Sequence, residues 1–287
     1  MKSAISRVLL SQEFQLSMLG ASLRQFIRAT DNFMKYSPRF KIDTQAIERP
    51  HYAYCMLNAA QLGRRLGHDR ISAIEFGVAG GNGLNFMCEF AKQVEAETGV
   101  GIDCYGFDSG IGMPPPEGPK DLPFWFQEAQ YVMDEAALRK KMPDAKLVIG
   151  NVKETVPGFI EKERPAPIGV VFNDTDYFSS TRDSICLFDQ AKDHPEHFLP
   201  RQFLYFDDII GREPEMYGPY NGQLAAINDY HAKQSDVRIH LNQNLLPNLH
   251  LKYRHQIYYA HIFSHPAYSD YVWNDLQDNM EQSLELR

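Results

Sequence analysis

Ile71-Ser72-Ala73-Ile74-Glu75-Phe76-Gly77-Val78-Ala79-Gly80-Gly81-Asn82-Gly83 is the stretch from which the fold is read. Ala73-Ile74 is a short apolar run, the four glycines make a turn, and the residues from Leu84 to about Val94 carry helical spacing. The order is strand, glycine loop, helix. Glycines there let a ligand approach the backbone, and the N-terminus of the following helix favours negative charge. The dinucleotide fingerprint G-x-G-x-x-G is not met, because Ala79 occupies the place of its second glycine.

The same alternation extends in both directions. From Ile71 to about Tyr230, apolar runs at Ile102–Phe107, Lys146–Ile149, Ile168–Phe172 and Gln202–Phe206 alternate with helical segments, the pattern of βα units on a parallel sheet. Val237–Leu241 and Gln256–Phe263 follow without a helix between them and read as a terminal hairpin, so the last strand is expected to be antiparallel. Before the sheet, Phe14, Leu16, Leu19, Leu23 and Phe26-Ile27 recur at helical spacing, and a second helix covers Tyr52 to Leu66. The expected organisation is a helical extension over residues 1–68, a pocket cap or a dimer surface, followed by an α/β domain over residues 69–287. Gly110 to Pro123 is a long loop within that domain. Its continuation Phe124-Trp125-Phe126 reads either as a lid or as aromatic packing onto the core.

Composition narrows the class. The 287 residues carry 29 Lys and Arg against 37 Asp and Glu, a net charge of −8, with no basic block. Wrapping of nucleic acid and binding to an anionic membrane are therefore not expected. No window reaches the roughly 18 apolar residues of a membrane span. The apolar run Val8-Leu9-Leu10 is too short for a signal sequence. Cys55, Cys88, Cys104 and Cys186 stand apart with no C-x-x-C pair, which fits a reducing cytoplasm better than a disulfide scaffold or a zinc site.

Chemistry gathers where the strands end. Four of the five parallel runs close on acids: Ile74-Glu75, Phe107-Asp108, Asn173-Asp174-Thr175-Asp176 and Phe206-Asp207-Asp208. Ligands of open parallel sheets bind outside that edge. Any one of these acids could be a helix cap, but together they point to a site. Asp108 lies 31 residues after Gly77 and at the end of the next strand, where a carboxylate accepts both hydroxyls of a ribose. Glycine loop and ribose acid together indicate an adenosine-type ligand, NAD or S-adenosylmethionine. The acid cluster then decides between them. Asp174 and Asp176 project from one face if the strand persists, and Asp207-Asp208 bring two more carboxylates. Such a density of charge calls for a hard cation, Mg²⁺ first. Hydride transfer to a nicotinamide has little need of that ion, whereas methyl transfer to a hydroxyl uses it.

Glu75-Phe76-Gly77-Val78 with Gly81, and Gly106-Phe107-Asp108-Ser109 with Gly112-Met113-Pro114, resemble the first two motifs of the macrocin O-methyltransferase family. Asp174-Thr175-Asp176-Tyr177-Phe178-Ser179-Ser180-Thr181 is similar to its D-x-D-x-Y-x-S-T block, with Phe178 in the usual Tyr position. Asp207-Asp208 matches its paired Asp, with Ile209 for the customary Tyr, and Lys153-Glu154-Thr155-Val156-Pro157 resembles its D-T-L-P motif. A Gly-Gly turn usual before the fifth strand is replaced by Leu199-Pro200-Arg201-Gln202. The resemblance covers roughly residues 70 to 230.

It implies a Rossmann-like class I methyltransferase fold, a seven-stranded mostly parallel sheet with the last strand antiparallel. The implied activity is Mg²⁺-dependent transfer of a methyl group from S-adenosylmethionine to a hydroxyl, on a sugar of a secondary metabolite, in natural product biosynthesis. Asp174, Asp207 and Asp208 would be metal ligands and Asp176 the general base. The expected cofactor-binding set is Glu75, Gly77, Val78, Gly81, Asn82, Gly83, Asp108, Ser109, Asn151 and Asp174. A cytoplasmic homodimer is the expected state.

Three other readings stand beside it: a metal-dependent catechol or phenol O-methyltransferase, a nicotinamide oxidoreductase, and an inactive methyltransferase-fold binding protein. Arg49-Pro50-His51-Tyr52 reads as the start of a helix, or as a segment closing over the cofactor. His194 with His197 and His261 with His265 lack partners at zinc spacing and read as bystanders.

Overall fold

A computed structural model describes residues 9, 11–233 and 236–272. Helices α1 (Gln12–Leu16) and α2 (Met18–Met34) each open on a serine, Ser11 and Ser17, whose hydroxyls accept from the Phe14 and Gly20 amides. Those hydroxyls satisfy amides that a helix start leaves without partners. Helices α3 (Pro38–Asp43) and α4 (Pro50–Arg65) open on proline, whose missing N–H costs nothing there. In α4, Tyr52, Cys55, Met56, Ala59 and Ala60 are fully buried against the sheet.

The sheet follows as β1 (Arg70–Phe76), β2 (Gly101–Asp108), β3 (Lys146–Ile149), β4 (Ile168–Asn173), β5 (Phe198–Phe206), β6 (Val237–Leu241) and β7 (Ile257–Ile262). Its helices are α5 (Asn82–Thr98), α6 (Glu135–Lys141), α7 (Val152–Thr155), α8 (Phe159–Glu163), α9 (Phe178–Ile185) and α10 (Gly222–Lys233). The strand order is β3-β2-β1-β4-β5-β7-β6, with β7 antiparallel to both of its neighbours and the other pairs parallel. The expected seven strands and antiparallel last strand are found.

One strand starts earlier than its sequence predicts. β5 begins at Phe198, although Pro200 lies inside it. The register with β4 jumps from Ile168↔Phe198 to Val170↔Phe203, so Pro200 sits in a bulge where its missing donor leaves no rung unpaired.

Alternation along the strands divides the core. Ile71 and Ala73 face the layer of α4 and α5, while Ile74 and Phe76 face the layer of α8 and α9. Glu75 follows the first set and points toward α4. Among the described residues no helix is long and apolar enough to cross a membrane.

Candidate functional site

Register places the strand ends on one line. Phe76 pairs with Phe107 on one side and Asn173 on the other, and Asn173 pairs with Phe206. The next residues, Gly77, Asp108, Asp174 and Asp207, therefore stand in a row at the carboxyl edge. The strand order reverses at β1, which is where open α/β sheets hold ligands. A cleft of about 650 Å³ opens there, lined by the glycine loop, Asp108, Asp174, Asp176, Asp207 and Asp208.

The glycine loop is shaped by what it passes. Gly77 has φ +87°, and a Cβ on it would run into the Asp174 carbonyl. A Cβ on Gly83 would strike the Glu75 carboxylate and the Tyr52 hydroxyl. Ala79 holds φ +43°, a left-handed conformation that side chains disfavour, and its amide donates to Asp108 Oδ2 at 2.8 Å. Gly110 donates to Asp108 Oδ1 at 2.7 Å. The carboxylate thus ties the glycine loop to the loop after β2, and each oxygen keeps a lone pair for a further donor.

Glu75 is 1% exposed. The Tyr52 hydroxyl donates to its Oε1 at 2.6 Å, and among the described residues the buried Oε2 has no partner. Burial pushes this carboxyl up to about 7, against the pull of the Tyr52 hydrogen bond and the Arg49 charge.

The acids come together as charge density predicts. Asp174, Asp207 and Asp208 each offer an oxygen, and these lie within 4.8 Å of one another. β4 ends at Asn173, so the strand does not persist and Asp174 and Asp176 are not alternate residues of it. Asp176 instead takes φ +57° in a tight turn, its amide donating to Asp208 Oδ2 at 3.0 Å. Nor does either acid cap a helix: Tyr177 is the N-cap of α9, and Asp208 accepts from the Asp176 amide and, at 3.3 Å, the Tyr217 hydroxyl. Burial, then the neighbouring carboxylates, raise Asp174 and Asp208 well above the usual carboxylate range. Burial and the charge of Asp174 lift Asp176 to about 7, while a hydrogen bond with Asp208 opposes the rise. A cation among them would draw all three down. Oxygen-only donors fit a hard divalent ion.

The remaining expected residues line the same cleft with other duties. Val78 is buried, whereas Asn82 is exposed at the first turn of α5. The Ser109 hydroxyl donates to the Gly112 carbonyl at 2.6 Å and shapes the loop after β2. Asn151 caps α7 by accepting from the Lys153 amide.

Several residues were not read from the sequence. Tyr205 donates to Asp207 Oδ1, and Gln256 Nε2 donates to the Asp207 carbonyl at 2.9 Å. Gln223 accepts from the Asp208 amide and donates to the Asn173 carbonyl, tying the ends of β4 and β5 together. Asp121, 1% exposed, accepts from the Ser179 amide at 2.7 Å and the Ser179 hydroxyl at 3.0 Å. The long loop is thereby pinned to α9. Of the two readings of its aromatics the structure shows packing, with Phe126 set among Met113, Leu122 and Tyr177, while Trp125 lines the cleft. Arg49 likewise precedes a helix start and also lines the cleft. Gln223 and Gln256 carry no local signal, since their partners Asn173 and Asp207 lie far away in sequence, whereas Tyr205 sits only two residues before Asp207 and could have been read from that spacing.

No protein-family model matches the chain, and no curated protein does. Solved structures do. The chain is similar to CalS11, a calicheamicin methyltransferase, at 17% identity and TM-score 0.50, over 85% of this chain and 93% of that one. It is similar to the O-methyltransferase NovP at 15% identity and TM-score 0.48, over 72% and 77% of the two chains. A third match is MycE, a methyltransferase of the mycinamycin pathway in complex with Mg, SAH and mycinamycin VI, at 12% identity and TM-score 0.37, over 67% and 44%. With its strand order and its antiparallel β7, the chain has the Rossmann-like fold of class I methyltransferases.

Proposed function

We propose that the chain is a Mg²⁺-dependent O-methyltransferase acting on a hydroxyl of a sugar or another secondary metabolite, with S-adenosylmethionine as donor. The observation that carries this reading is the juxtaposition of two sites in one cleft. Asp108 and the glycine loop stand at the ends of β1 and β2, and the Asp174, Asp207 and Asp208 oxygens cluster within 4.8 Å at the ends of β4 and β5. CalS11, whose fold the chain shares, is a calicheamicin methyltransferase, which agrees with a natural product setting.

Asp108 accepts the ribose hydroxyls, and Gly77, Val78, Gly81, Asn82 and Gly83 form the backbone bed on which the donor lies. Glu75, Ser109, Asn151 and Asp174 complete the wall. S-adenosylmethionine supplies a methyl group on a positive sulfur, and its transfer to the acceptor oxygen releases S-adenosylhomocysteine. A divalent ion held by Asp174, Asp207 and Asp208 would supply the positive charge that makes an acceptor hydroxyl more acidic. Asp176 takes the hydroxyl proton, the role a carboxylate beside the acceptor oxygen can fill. Trp125 and Met113 line the cleft with apolar surface. A phenol acceptor is the second reading, favoured by the aromatic wall of Trp125, Phe126, Tyr131 and Tyr217.

A homodimer is part of the proposal, supported by the outward face of α2, where Leu19, Phe26 and Phe33 are 71%, 59% and 88% exposed. The activity is tested with methyl-labelled S-adenosylmethionine and a panel of glycosides, nucleotide sugars and catechols, with Mg²⁺ or EDTA. A labelled sugar ether formed only with Mg²⁺ is expected. Transfer to catechols alone would favour the second reading, and transfer to none of the panel would count against an O-methyltransferase.

A further inference from the structure

We infer that Arg49 binds the α-carboxylate of the donor's amino-acid moiety, an assignment that rests on the proposed S-adenosylmethionine site and deepens it. The cleft is walled mainly by acids, and among the described residues its cationic lining side chains are Arg49 and Arg212. Arg212 is exposed and stands beside Glu215 near the acid cluster. Arg49 stands at the other end, immediately before α4, with its guanidinium 5.3 Å from the centroid of the Tyr52 ring. That ring's hydroxyl is the one bound to Glu75. Arg49 thus lines the cleft on the side of Tyr52 and Glu75, beneath the glycine loop. Among the described residues its side chain has no ion pair or hydrogen bond of its own.

The donor's charges complement this layout. S-adenosylmethionine carries a sulfonium, an ammonium and one carboxylate. The acidic walls suit the two cations, and a carboxylate among them would be repelled unless a cation receives it. With the ribose at Asp108 beyond β2 and the methyl directed at Asp176 beyond β4, the amino-acid tail falls over β1. Glu75 and Arg49 are the charged side chains there. A guanidinium already held over an aromatic ring presents a planar fork that matches a carboxylate.

The test compares two ligands that differ only in the relevant moiety. S-adenosylhomocysteine has the amino-acid carboxylate, and 5′-methylthioadenosine has the same adenosine and thioether without it. Calorimetric titration of the wild-type chain, Arg49→Ala and Arg49→Lys with both ligands is the experiment. Arg49→Ala is expected to weaken S-adenosylhomocysteine by about 10- to 100-fold, the range of a charge-assisted hydrogen bond. Its 5′-methylthioadenosine affinity should stay within twofold, which also shows that the variant is folded. Arg49→Lys should recover part of the loss. Equal weakening of both ligands, or of neither, would overturn the assignment while leaving the donor site standing. A wild-type chain that binds neither ligand would overturn the donor site, and this assignment with it.

Discussion

Tyr52 of α4 and Glu75 of β1 meet in a fully buried hydrogen bond of 2.6 Å directly beneath the cleft. Tyr52 is held for this by its ring, stacked on Phe172 of β4 with centroids 3.9 Å apart. The pair joins the helical layer to the strand that carries the glycine loop. Tyr52→Phe keeps the stack and removes the donor, leaving Glu75 Oε1 without its side-chain partner. The expected cost is about 1–3 kcal/mol, read as a fall of several degrees in Tm.

Glu75 also sets a pH dependence. Its carboxyl titrates at about 7 in the folded chain because burial disfavours the charge, against an ordinary value of 4.5. Between those values the folded state holds a proton that the unfolded state has lost. Stability contributed by this group is therefore complete below about pH 4.5 and lost as pH rises through about 7. Glu75→Gln removes the term. Melting curves from pH 4.5 to 8 should fall less steeply for Glu75→Gln than for the wild type, and parallel curves would contradict the assignment.

The acid cluster makes two opposite predictions for one variant. Asp208→Asn removes a repelling charge and should leave the chain in EDTA as stable as the wild type or more so. The same variant should lose the rise in Tm expected of the wild type with Mg²⁺, which reflects a stabilisation of about 2.7 kcal/mol at 100 times the dissociation constant. A Mg²⁺ response unchanged in Asp208→Asn would remove that residue from the metal site.

Asp176→Asn separates binding from turnover. Donor and Mg²⁺ affinity should be retained, while kcat falls by about 10²- to 10⁴-fold as general-base catalysis is lost. Full turnover in this variant would exclude Asp176 as the base.

The long loop depends on one buried acid. Asp121→Ala leaves the Ser179 amide and hydroxyl without their acceptor and frees the Glu117 amide. The expected result is faster proteolysis within residues 110–126 and a raised KM for the acceptor, with donor affinity little changed. Unchanged proteolysis would show that the loop is held by its apolar packing alone.

The sheet was legible because its signal is local. Each strand is a short apolar run, and acids after Phe107, Asn173 and Phe206 stand at the carboxyl edge whatever the loops do. The early start of β5 was not legible, since Pro200 argues against a strand and only the bulge opposite β4 accommodates it. The turn at Asp176 was missed for a related reason: period-two reasoning holds while a strand continues, and β4 stops at Asn173. Partners such as Gln223 and Gln256 become visible only when α10 and the segment before β7 lie against the ends of β4 and β5. The fold brings residues tens of positions apart within hydrogen-bonding distance, and no window along the chain contains that information.

The donor is the centre of the account, and calorimetric titration with S-adenosylhomocysteine beside NAD tests it most directly. The account predicts saturable binding of S-adenosylhomocysteine, with or without Mg²⁺, that is lost in Asp108→Ala, and no binding of NAD. Binding of NAD with none of S-adenosylhomocysteine would contradict it and return the cleft to nicotinamide chemistry.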